Sequence, residues 1–185
     1  MQQQLEALNI HLQAARPDFY AQLNEPLTAA EINALEEKFN VKLPNDLKTL
    51  YQWKNGQNNN CFHSFVNNSM FMPLQEALES AAELTSMIGF DFEIENWWNA
   101  QWIPVFQNGG GDQICYDMGG TFTGQAGQLL EFWHADNYRK VIAPNLESFI
   151  TLINRFYSTT TPSAFDEFFS LEEEIEGFPK RFLVE

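Results

Sequence analysis

Cysteine is nearly absent: 185 residues contain only Cys61 and Cys115. Neither sits in a CxxC pair, so a disulfide framework and a Cys-rich zinc site are both excluded. Each is flanked by apolar or aromatic residues, which reads as two buried thiols in a reducing, cytoplasmic setting, with a single bridge left open. Basic residues are scarce as well, 10 Lys+Arg against 25 Asp+Glu, for a formal charge of -15. Such a chain repels phosphate backbones and anionic lipid, so neither nucleic acid nor membrane is an expected partner. No apolar run approaches the ~20 residues of a membrane span. The first Lys or Arg is Arg16, which leaves the N-terminus without the pattern of a secretory signal or transit peptide. HExxH and GxSxG are missing too.

Aromatic residues are abundant, 15% of the chain with 17 Phe. The composition is that of a folded domain, and the length suits one. Leu5, Leu8 and Leu12 recur at helical spacing, predicting a helix over 3–15 that Pro17 ends, with a loop to Pro26. Thr28 and Glu31 form a capping box, and Leu27 with Ile32 a hydrophobic staple, at the start of a second helix. Asn40 suits its left-handed end, and Leu43-Pro44 leads into a third helix that Asn55-Gly56 closes. CFHSFVNN and MFMPL read as short extended pieces, and residues 75–88 as a helix. WIPVF, DQICYDM, GQLLEFWH and RKVIA then follow as strands without intervening helices, which implies antiparallel pairing. Pro104 marks an edge or a bulge. Asn145 caps a last helix. STTTPS breaks the pattern at 158–163, and AFDEFFSLEEEIEG predicts a C-terminal helix ended by Gly177.

The stretch FQNGGGDQICYDM invites a phosphate-loop reading, and its chemistry refuses it. A Walker loop needs a lysine and a following helix. Here Asp112 and a strand follow, so Gly110 and Gly111 are expected to serve a turn. Asp112, Asp117 and Glu131 could hold a cation only with help from a bulge, because Asp112 and Asp117 are an odd number of residues apart. Cys61 and His63 lack the further spacing of a zinc site; Cys115 with His134 could form a catalytic thiol–imidazole pair distant in sequence, but a buried thiol is the commoner role. No catalytic, cofactor-binding or metal-binding residue is therefore assigned, and the chain is expected not to be an enzyme.

Two acidic stretches remain as candidate partner-binding surfaces. One is Asp91, Glu93 and Glu95 beside Trp97 and Trp98, with Trp102 close by. Aromatics of this kind anchor interfaces when exposed and form core when not. The other is Glu172, Glu173, Glu174 and Glu176 in the C-terminal stretch. For each the competing account is a solvated acidic surface.

The order of motifs resembles the SUKH superfamily, which includes fungal cell-wall-synthesis regulators and many bacterial immunity proteins. The resemblance rests on LTAAEINALEEKFNVKLPNDLKTLYQWKNG, MFMPLQEAL, WIPVFQNGGGDQICYDM, GQLLEFWH and VIAPNLESFITLI, and covers roughly 27–156. It implies an α+β fold, a single domain with helices packed against a twisted, mainly antiparallel sheet. The expected organisation is 1–26 as an N-terminal helix and lead-in, 27–157 as the SUKH-like domain, and 158–185 as an acidic helical extension. Leu43, Pro44, Gly56, Gly110, Gly111, Asp112 and Asp117 take structural roles in this reading. The resemblance implies protein binding, with a cognate toxin domain as the partner for an immunity protein and a regulatory or scaffold role as the alternative.

Overall fold

The capping signals in 26–56 act as the spacing predicts. The computed structural model describes residues 1–160, 170–171 and 173–185. Helix α1 spans Gln2–Ala15 and buries Leu5, Leu8 and Leu12. Pro17 does not open a loop. It occupies the first turn of a four-residue helix, α2, Pro17–Tyr20, where its missing N–H costs nothing. Helix α3, Ala29–Phe39, begins with the full Thr28–Glu31 capping box and ends at Asn40 with φ 48° and ψ 47°. Such a cap contributes about 1 kcal/mol. Helix α4, Asn45–Trp53, follows Pro44 and buries Leu47, Leu50 and Tyr51.

The sheet is a six-stranded antiparallel meander in chain order. Its strands are β1 Met70–Phe71, β2 Trp102–Gln107, β3 Gln113–Asp117, β4 Gln128–Phe132, β5 Tyr138–Ala143 and β6 Lys180–Leu183. Helix α5, Leu74–Ser86, lies between β1 and β2, and α6, Leu146–Thr159, follows β5. Residues 61–68 carry no strand, only an isolated Val66–Ser69 bridge. The carbonyls of Cys61 and His63 instead accept from the Gln57 side chain. Pro104 marks a bulge: the β2–β3 register shifts between Pro104 and Phe106, and the carbonyl of the skipped Val105 accepts from Met72 N–H.

Both faces of the sheet are covered. On one, Gln113 hydrogen-bonds Ser80 of α5, and Phe132 meets Trp98 edge-on with ring centroids 5.1 Å apart. On the other, Tyr116 donates to Asp46 of α4, and Phe106 packs on Phe149 of α6. Consecutive residues Ile114 to Asp117 are therefore all buried, where a one-sided sheet would alternate. Arg139 of β5 is fully buried, with its guanidinium over Phe132 and Trp97.

The C-terminal stretch departs from the expected helix. Residues 170–171 and 173–177 are not helical; the rest of 164–177 lies outside the described residues. The chain then pairs with β5 as β6 and buries Val184. Helical propensity in residues 173–177 loses to the apolar and backbone contacts that a return across the sheet provides.

Candidate partner-binding surfaces

The glycine turn is organised by side chains that the sequence does not flag. Asn108 Oδ1 accepts from Gly110 N–H at 2.7 Å and Asp112 N–H at 3.1 Å, while its amide donates to Asp112 Oδ2 at 2.8 Å. The other Asp112 oxygen takes the backbone N–H of His134 at 3.1 Å and lies 2.9 Å from His134 Nδ1. Gly111 has φ +101°, and a Cβ there would lie 3.0 Å from the His134 ring. The turn thus spends its donors on Asn108 and its carboxylate on His134. That is a locked β2–β3 connection, with no open cradle for phosphate.

Asp117 closes the other end of β3. It is fully buried, and its carboxylate accepts from the N–H groups of Gly119, Gly120 and Thr121, the Thr121 hydroxyl and the Gln128 amide. A buried carboxylate needs this many donors to replace lost hydration. Glu131 pairs instead with Lys140 at 3.0 Å on the opposite sheet face. Asp112, Asp117 and Glu131 therefore do not converge, and among the described residues no trio of His, Cys, Asp or Glu is placed to hold a metal.

The LP…NG block positions the helices. Leu43 is buried, and its N–H donates to Glu36, a buried carboxylate that also bonds Lys48 at 2.8 Å and Lys42 at 3.4 Å. Burial pushes the Glu36 pKa up, but the bonds from Lys48, Leu43 N–H and Lys42 outweigh it and leave it lowered. Gly56 has φ +72°, and a Cβ there would sit 2.3 Å from Pro73 N. Only glycine lets the end of α4 pass this close to the start of α5.

Cys61 and Cys115 are both free and buried. Burial, reinforced by Asp117, drives the Cys115 thiol well above its ordinary pKa, the opposite of what a nucleophile needs. His134 is engaged at the glycine turn, away from Cys115, whose sulfur faces Gln113.

The acidic-aromatic connection splits into core and surface. Trp98 and Trp102 are buried, 2% and 0% exposed, and their indole N–H groups bond Thr85 and Thr121. Trp98 therefore offers nothing to a partner, because the edge of α5 and Phe132 cover it. Trp97 is half-buried under the Arg139 guanidinium, which also donates twice to the Trp97 carbonyl, at 2.7 and 3.2 Å. Burial lowers the Arg139 pKa to about 10, so it stays a cation at neutral pH. Asp91, Glu93 and Glu95 are exposed. Beside them stands a residue that sequence pattern alone misses: Phe90, 79% exposed, with Ile88 at 43% and Ile94 at 38%. The signal was present as a hydrophobic sequence with no periodic partner. Residues 87–101 contain no Lys or Arg.

Of the C-terminal candidates, Glu172 lies outside the described residues. Glu173 pairs with Arg155 at 3.0 Å, and Glu174 and Glu176 are exposed. These and the 87–97 loop are separate surfaces on different sides of the sheet. No helix among the described residues is long and apolar enough to cross a membrane.

A family model described as SMI1 / KNR4 family (SUKH-1) matches residues 26–152. No curated protein matches the chain.

Proposed function

The chain belongs to the SMI1/KNR4 family (SUKH-1), and from that premise we propose that it is a bacterial immunity protein that binds and neutralises a basic, nuclease-type toxin. Family membership supports a protein-interaction domain; the toxin and its charge are our reading. One observation carries it: the loop at 87–97 presents Phe90, Ile88 and Ile94 among Asp91, Glu93 and Glu95, without a basic residue. An exposed apolar anchor ringed by carboxylates fits a cationic, partly apolar protein surface and speeds its capture. Arg139 and the buried Trp98 pin the base of this loop, so little order has to be imposed on binding. The net charge of -15 extends the same attraction over the whole molecule. We place the binding unit at 27–157, with 1–26 and 158–185 as additions particular to this chain, and the protein in the cytoplasm without catalysis of its own.

The adjacent gene is expected to encode a toxin domain. Co-expression should rescue growth, and the two proteins should co-purify as a stable complex. A chain that rescues no neighbouring toxin, and whose deletion alters growth in pure culture, would instead favour a regulatory or scaffold role.

A further inference from the structure

A second surface is created where the C-terminal stretch returns across the sheet. After α6, residues 170–171 and 173–179 lie over the face that carries Ile114, Glu131 and Lys140, and Leu171 N–H is held by the Asn67 side chain at 2.8 Å. Between this strap, β3–β5 and α6 lies a groove of about 500 Å³. That volume falls within the roughly 300–1,000 Å³ typical of ligand sites. Ile142 and Leu152 form part of its floor, and Leu171 and Ile175 one wall. Trp133, 44% exposed, stands on the other side.

The rim has a definite charge. Among the described residues Asp112, Glu131, Glu173 and Glu174 line it with one cation, Lys140, while Glu173 is paired with Arg155 and Asp112 is held by Asn108 and His134. Lys140 is already committed: it bonds Glu131 and lies 4.4 Å over the Trp133 ring. Glu174 is exposed and makes no ion pair with any described residue. An anionic segment would be repelled here, and a wholly apolar one would strip water from the rim carboxylates without replacing it. We propose that this groove docks a short extended segment of a protein partner that carries a lysine or arginine next to a large apolar side chain. The cation meets Glu174 while its alkyl stem lies along the exposed part of Trp133, and the apolar neighbour covers Ile142 and the strap. The floor lies within the family match, 26–152, whereas the strap lies beyond it. The groove is therefore a feature that this chain's own C-terminal stretch completes. It is distinct from the 87–97 loop and does not depend on the toxin reading.

The test is a titration of the full ¹⁵N-labelled chain with two hexapeptides of equal apolar content, one alternating lysine with phenylalanine and leucine, the other glutamate in place of lysine. The lysine peptide is expected to shift the Trp133 indole and the amides of Ile142, Leu171 and Ile175. The glutamate peptide should leave them in place. Glu174→Lys and Trp133→Ala, both changes at solvent-exposed side chains, should each weaken binding about tenfold, a loss of about 1.4 kcal/mol, with the remaining spectrum unchanged. Absence of binding, equal binding of both peptides, or shifts confined to residues 87–97 would each overturn the proposal. So would groove shifts that appear on raising the protein concentration alone, which would assign the groove to a second copy of this chain.

Discussion

Asp117 holds together more of the polar structure than any other described side chain, because five donors from 119–128 end on one buried carboxylate. Asp117→Asn keeps the size but replaces an acceptor with a donor facing donors. It is expected to cost about 2–4 kcal/mol in urea unfolding, from lost charge-assisted bonds and unpaired N–H groups. Glu36 allows a sharper test, since its pKa is lowered in the fold by Lys48, Leu43 N–H and Lys42 against the effect of burial. A carboxyl whose folded pKa lies below the ordinary glutamate value of about 4.3 stabilises fully above that value, and the contribution is lost as pH falls through the folded pKa. Glu36→Gln should therefore cost about 1–2 kcal/mol near neutral pH, with the deficit shrinking in acid below about pH 4. Urea midpoints for both proteins across that range check it; a deficit independent of pH would remove the charge from the explanation. The sequence already marked Asp117 and Leu43. It left Glu36 as one acid among many, because burial of a carboxylate is decided by which helix end comes to rest over it.

At the scale of elements, short-range chemistry was legible and long-range pairing was not. The Thr28–Glu31 box and the Asn145 cap form as their spacing demands, since each bond closes within three residues. Gly56 is different: its side-chain space is taken by Pro73, seventeen positions on. Gly56→Ala is expected to destabilise by about 2–4 kcal/mol, combining the left-handed backbone cost with overpacking, measurable as a fall in the thermal midpoint. Pairing of β6 with β5 was equally invisible, because KRFL alone says nothing of the edge it will join. Removing residues 180–185 uncovers the β5 ladder and the site of Val184. Reduced stability and concentration-dependent association in sedimentation are the expected outcome. A truncated chain that remains monomeric at unchanged stability would mean that the strap, not the strand, protects that edge.

For the whole molecule, the proposed toxin-binding role predicts that charge governs approach and one apolar cluster governs hold. Changing Asp91, Glu93 and Glu95 to their amides should slow association with the proposed toxin partner and flatten its dependence on salt. Phe90→Ala should leave the association rate near its original value and speed dissociation about tenfold or more. Stopped-flow kinetics at two ionic strengths separate the two effects, and salt-independent association of the unchanged protein would contradict the electrostatic account. The sequence by itself determined the helix caps, the turn at Gly110-Gly111-Asp112 and the negative charge, because composition and contacts within a few residues fix these, and its order of motifs carried the resemblance that implied the class of fold. Only the tertiary structure decided that Trp98 is core while Phe90 is surface, that the last residues form a strand, and that a groove opens beneath the strap. Identical aromatic and acidic residues diverge in role there, because exposure depends on which distant segment arrives to cover each one.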